Sequence, residues 1–241
     1  MELFNAIIRA MNEKTGKGAA RAFPYDPALA WPDTKTSELV MLRDAAFELG
    51  GGSLPAVNLS CVTTDPTLVE KDEILLYGKD LGELKANTPF ARVALVLAEG
   101  IDGADVDSES TFRAIQDIDF VKYHVFPKGY MVRTSSESNR EQVRLGKDAL
   151  KNGISFRRVG CDYIRKYHEN PKVKAVKLLF ITDPDADFAG MSKDAKSVHD
   201  ITMTLSKILE GMPTDCSHCN LKPICDEVEG MKELHFGKNK K

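Results

Sequence analysis

The run KAVKLLFITD at 174–183 leaves a folding chain little freedom. It is too short to span a membrane, rich in β-compatible residues and almost without polar interruption, so it predicts a strand covered on both faces. AVNLSCV (56–62) and RVALVLAEG (92–100) are of the same kind, and EILLYG (73–78) and YMVRTS (130–135) supply two more strands. Strands buried on both faces require helices on both sides. Leu3, Phe4, Ile7, Ile8 and Met11 predict one over 2–13, and a second is predicted over 157–168. A third, over 192–210, carries Val198, Ile201, Leu205 and Ile208 on one stripe, with Gly211 and Pro213 as its stop. Ser138 and Glu141 have capping-box spacing ahead of QVRLGKDALKNG, which predicts a further helix ending at glycine. A short helix is expected from Thr36, followed by a tight turn at Gly50, Gly51 and Gly52. The stretch GKGAARAFPYDPALAWPD reads as irregular, with Trp31 plugging it onto the core. The fold class expected is α/β or α+β: a mixed sheet flanked by helices, with a C-terminal cysteine-rich knuckle. The division expected is an N-terminal extension over 1–46, the α/β domain over 47–211 and the knuckle over 212–241.

With 42% hydrophobic residues the chain can build its core without staples, and a net charge of −3 gives no reason to expect nucleic-acid binding. Glu2, Asn5 and Arg9 interrupt the N-terminus, so no signal peptide is expected, and no stretch approaches the ~20 apolar residues of a membrane span. These features lead us to expect a cytoplasmic protein, in which thiols stay reduced.

That expectation bears on TDCSHCNLKPICDEVEG, where Cys216, Cys219 and Cys225 fall within ten residues of a chain holding five cysteines. The C-x2-C-x5-C spacing brings three thiolates around one point, which suits zinc, iron–sulfur clusters or copper(I). A fourth ligand could come from His218, Asp226, His235, Cys61 or Cys161. A 4Fe–4S cluster accepts three cysteines with one other ligand, whereas a structural zinc site needs four protein ligands, so iron–sulfur is favoured with zinc as the alternative. Cys61, inside an apolar strand, and Cys161, on a helical segment, read as buried hydrophobes.

From residue 47 onward FELGGG, EILLYGKDLGEL, ARVALVLAEG, ESTFRAIQDIDFV, GYMVRTSS and KVKAVKLLFITD follow one another. This order resembles the middle region of acetyl-CoA synthase, the β subunit of the carbon monoxide dehydrogenase/acetyl-CoA synthase complex, over about 47–185. The resemblance implies that region's fold and a place near coenzyme A, which in the family involves an arginine-rich surface. It implies a link to anaerobic one-carbon metabolism, with other subunits and a corrinoid protein as partners. The family's nickel–iron–sulfur centre begins C-x2-C-x8-C in a further domain, and this sequence departs from that pattern, so acetyl-forming chemistry is not expected of it.

Arg133, Arg140, Arg144, Arg157, Arg158 and Arg165 lie within 33 residues of a net-acidic chain. Guanidinium forks match phosphate geometry and could hold coenzyme A; alternatively they line solvated faces and pair with Glu137, Glu141 and Asp162. Asp183, Asp185 and Asp187 lack the glycine and terminal glutamate of a calcium loop and read as a turn after a strand. No Ser/His/Asp arrangement, phosphate loop or dinucleotide fingerprint is visible, which argues against independent catalysis. The reading is an accessory metal-binding protein of acetyl-CoA metabolism; a redox module and a zinc-stapled adaptor are the alternatives.

Overall fold

The computed structural model describes residues 2–101, 108–134 and 139–209. In chain order the elements are α1 (Glu2–Lys14), β1 (Arg21–Pro24), β2 (Ala45–Leu49), β3 (Ala56–Thr63) and β4 (Glu73–Tyr77). They continue with β5 (Phe90–Ala98), α2 (Ser108–Phe120), β6 (Tyr130–Thr134), β7 (Glu141–Gly146), α3 (Lys147–Lys151), α4 (Phe156–Tyr167), β8 (Val173–Ile181) and α5 (Phe188–Leu209). Five strands form a mixed sheet in the order β1-β4-β8-β5-β3, and three form an antiparallel sheet in the order β2-β7-β6. This is a mixed α/β fold whose main sheet is flanked by helices. No described helix is long and apolar enough to cross a membrane.

The main sheet explains why its central strands read as unbroken apolar runs. Successive side chains alternate between faces, and both faces of β5 are covered. On one face Phe156 of α4 stacks on Phe90 and Phe180, at ring-centroid separations of 5.8 and 4.6 Å. On the other face Thr63 of β3 donates to Asn5 of α1 at 2.7 Å, and α5 packs along β3. Phe4, Ile7, Ile8 and Met11 of α1 join the same core as Met191, Ala195, Val198 and Ile201 of α5. Gly160 lets α4 lie close on β4, since a Cβ there would stand 2.8 Å from Ile74.

Three expectations require correction. The segment after Ser138 is not a helix: β7 alternates buried Glu141, Val143 and Leu145 with half-buried Gln142 and Arg144, and helix begins only at Lys147. Ser138 lies outside the described residues. No helix begins at Thr36; one 3₁₀ turn at Leu42–Asp44 leads into β2, because backbone pairing with β7 and burial of Phe47 and Leu49 outweigh local helical preference. Arg21–Pro24, read as irregular, adds an edge strand to β4, with Pro24 at its end, where a missing N–H is tolerated. The glycine turn is as expected: Gly50 has φ +62°, and a Cβ there would stand 2.5 Å from the Ala56 Cβ.

The two sheets are joined by a buried ion pair. Arg92 of β5 donates from Nε to both carboxylate oxygens of Glu141 on β7, at 3.0 and 2.9 Å, and from Nη2 to Oε2 at 2.7 Å. Nη2 also reaches Asn58 Oδ1 on β3 at 2.8 Å, and the guanidinium lies 4.6 Å from the Tyr163 ring centroid on α4. Arg92 is 0% and Glu141 2% exposed, so each charge depends on the other for solvation.

Removing one partner strands the other in the core. Arg92→Met or Glu141→Leu should each cost about 3–5 kcal/mol in chemical denaturation, and the double variant Arg92→Met/Glu141→Leu should cost less than the sum. Additive costs would show that the pair does not act as a unit.

Candidate functional site

The six arginines do not form one surface. Arg133 and Arg144 both reach Glu48 Oε1 on β2 at 3.0 Å, and Arg144 also donates to the Val40 carbonyl at 2.9 Å. Arg140 donates to the carbonyl of Gly52 at 3.0 Å, holding the glycine turn. Arg157 lies 5.8 Å from the Phe23 ring and Arg158 5.9 Å from the Trp31 ring. Arg165 pairs with Asp162 at 2.6 Å. Of the three acidic partners weighed from sequence, Asp162 is thus used by an arginine of the segment, Glu141 belongs to Arg92, and Glu137 lies outside the described residues.

One of these arginines opens onto a cavity of about 770 Å³ lined by Trp31, Asp33, Lys35, His124, Phe126, Arg165, Lys166 and Glu169, among others. Its wall comes from three places: the 30–35 loop, the turn after α2, and the C-terminal end of α4. The loop is fastened by backbone bonds from Thr34 to Phe126 at 3.1 Å and from Lys128 to Pro32 at 2.9 Å. Trp31 is 7% exposed and its Nε1 donates to the Lys128 carbonyl at 2.6 Å, so the plug expected from sequence is also a wall of the cavity. Lys35 has φ +58°, the one non-glycine residue with positive φ among those described. That conformation costs about 1 kcal/mol or more, and the Asp33 carboxylate helps to fix it by accepting the Lys35 N–H at 3.0 Å. An exposed cation is therefore held on the rim at a backbone cost.

Behind the wall lies Asp162, with a fully buried side chain. Burial, with the charge of Asp33 nearby, raises its carboxyl from the ordinary range to about 7, while Arg165 and the Trp31 backbone N–H pull the other way. Its Oδ2 has no hydrogen-bond partner. Chemically, the site combines an aromatic wall, cations at the rim and a buried carboxyl that changes charge near neutrality. Lys35, His124 and Lys166 carry no motif and were not found from sequence; tertiary folding alone assembles them.

Residues 34–186 match the CdhC family, described as the CO dehydrogenase/acetyl-CoA synthase complex beta subunit. The chain belongs to this family. The CdhC match runs from the cavity loop to the end of the Asp183 turn, taking in strands β2 to β8. In that turn Asp183 accepts the Asp185 N–H at 3.0 Å and Asp187 accepts the Gly190 N–H at 2.9 Å, so two of the three aspartates serve the turn and the start of α5. No curated protein matches the chain.

Cys61 and Cys161 are both buried in this CdhC chain, and burial raises both thiols above their ordinary range. They pack as the hydrophobes the sequence suggested. Cys216, Cys219 and Cys225, with His218, Asp226 and His235, lie outside the described residues.

A carboxyl raised from 3.8 to about 7 stabilises the fold fully below the lower value, and that contribution is lost as pH rises through the higher one. Asp162→Asn, neutral throughout, should therefore lose less stability than wild type between about pH 4 and pH 7. Thermal denaturation across that range measures it; parallel pH profiles would show that Asp162 titrates as an ordinary carboxyl.

Proposed function

We propose that this CdhC-family chain is an accessory protein of carbon monoxide and acetyl-CoA metabolism that captures coenzyme A, or a similar phosphate-bearing ligand, in the Trp31 cavity. The observation that carries this reading is the cavity itself: Trp31 and Phe126 offer apolar ring surface, and Lys35, His124, Arg165 and Lys166 offer cationic donors. Its volume is in the range of small-molecule and cofactor sites. Arg158, beside the Trp31 ring and about two turns before Arg165, adds positive charge to that side of the helix, whereas Arg157 lies over Phe23. Arg133, Arg140 and Arg144 support the scaffold through Glu48, Val40 and the glycine turn, and are not needed for capture.

The same proposal places a metal on Cys216, Cys219 and Cys225, as a 4Fe–4S cluster, with zinc as the alternative. Family membership supports work alongside the other subunits of a carbon monoxide dehydrogenase complex, and the proposal extends this to a corrinoid protein, as the sequence resemblance implies. Leu39 and Leu42, 70% and 72% exposed, support attachment to a larger assembly. Reduced thiols at a cluster accord with a cytoplasmic setting.

Trp31 is the chain's one tryptophan, so its fluorescence reports on the cavity directly. Coenzyme A should change that signal at low salt, and affinity should fall as salt rises. Arg165→Ala with Lys166→Ala should weaken binding by about tenfold or more, and Arg165→Lys should weaken it less, because charge remains while the fork is lost. Arg133→Ala should bind as wild type does. A Trp31 signal that stays unchanged with millimolar coenzyme A removes the capture reading.

Metal analysis tests the second part. Anaerobically purified protein should be brown and contain iron and sulfide; a colourless protein with zinc would favour the adaptor. Serine at Cys216, Cys219 and Cys225 together should abolish the metal, whereas Cys61→Ser should retain it. Retention in the triple variant would end the metal proposal.

A further inference from the structure

Arg165 has two possible partners in the same place. On one side it donates to Asp162 Oδ1 at 2.6 Å; on the other it lines the cavity, with its side chain 41% exposed. The Asp162 side chain is 0% exposed, and its second oxygen has no partner. Arg165 is the one side chain that bonds it among the described residues. A phosphate in the cavity would compete for that guanidinium with a charge-assisted, two-point contact.

We propose that ligand capture in this cavity is proton-linked: an anion that draws Arg165 toward itself leaves Asp162 without its counter-charge, and Asp162 takes up one proton from solvent. This rests on the capture reading above and states how the same site is regulated. A buried carboxylate deprived of its cation cannot be rehydrated, so protonation is its least costly state.

The other charged and titratable groups around Asp162 act consistently. Asp33, across from it on the loop, disfavours a second negative charge, and Tyr25 and Cys161 stay neutral, their ionisation opposed by burial. In the unliganded protein the carboxyl already changes charge near neutrality, raised by burial to about 7. Loss of Arg165 raises it further. The sign follows: the bound state holds the extra proton above pH 7, so affinity rises as pH falls toward 7 and levels off below it. His124, also on the cavity wall, is a further titratable group, and the Asp162→Asn variant separates the two.

Coenzyme A is titrated into wild type and Asp162→Asn at several pH values, with Trp31 fluorescence for affinity and calorimetry in two buffers of different ionisation heat for the proton count. Wild type should bind more weakly as pH rises above 7, with a change of up to about tenfold per pH unit attributable to one proton. Asp162→Asn should lack that component, retaining only the dependence due to the ligand phosphate and the other groups of the cavity. Wild-type heats should differ between buffers at pH 8 by an amount equal to uptake of up to about one proton. Binding with the same pH profile in both proteins, or a zero proton count in wild type, overturns the linkage and leaves capture standing. No response in either readout overturns capture and the linkage together. If Asp162→Asn does not fold, the proton count at pH 8 is compared between wild type and His124→Gln, and loss of the count in that variant overturns the linkage.

Discussion

The Arg92–Glu141 pair is the interaction on which the arrangement of the two sheets depends. It is a charged contact that reaches from β5, an interior strand of the five-stranded sheet, to the three-stranded one, and it draws in Asn58 and Tyr163 as well. Four elements (β3, β5, β7 and α4) therefore meet at one guanidinium. A hydrophobic replacement of the pair could match its stability, but it would not fix orientation: a bidentate fork tolerates little sliding of β7 over β5. Tyr130, Tyr163 and Tyr167 stand around the same point, and burial disfavours ionisation of all three hydroxyls. The ion pair is thus enclosed by groups that stay neutral.

This centre also sets the position of the candidate site. α4 turns Phe156, Val159, Tyr163 and Tyr167 into the core, where Phe90, Phe180 and Arg92 receive them. Asp162 and Arg165 then fall on the flank that meets the Trp31 loop. Helical geometry separates the two roles by about one residue position, or 100° of rotation. The core side fixes the helix, and the flanking side offers a charged pair to the cavity. Rigid support of this kind is what an aromatic wall and a guanidinium need if they are to meet a ligand in a fixed orientation.

Family membership covers the scaffold from Thr34, just after Trp31, to the turn after β8. Within it the arginines that invited a single phosphate-binding surface divide into three tasks: Glu48 neutralisation, closure of the glycine turn, and the flank of α4. Sequence proximity put them in one group, and the fold separates them. Arg133 and Arg144, on the neighbouring strands β6 and β7, converge on one carboxylate of β2, and Arg165 alone of the six lines the cavity.

The strands that are buried on both faces and the long amphipathic helices were legible in the amino-acid order alone. Burial on both faces leaves an apolar run that no surface segment imitates, and a 3.6-residue stripe survives in α1 and α5 whatever their neighbours are. The same order also identified Cys61 and Cys161 as core residues and Trp31 as an anchor. Tertiary structure alone decided the rest. β7 carries the spacing of a helix cap, yet Glu141 is a strand residue because Arg92 lies opposite it; no local pattern encodes a partner 49 residues away. β1 and β2 are strands because β4 and β7 offer them free edges, an energy that belongs to the pair and not to either segment. The cavity has the same character. Trp31, Lys35, His124 and Arg165 are unremarkable residues on three separate segments, and only packing of the loop against α4 makes them one site.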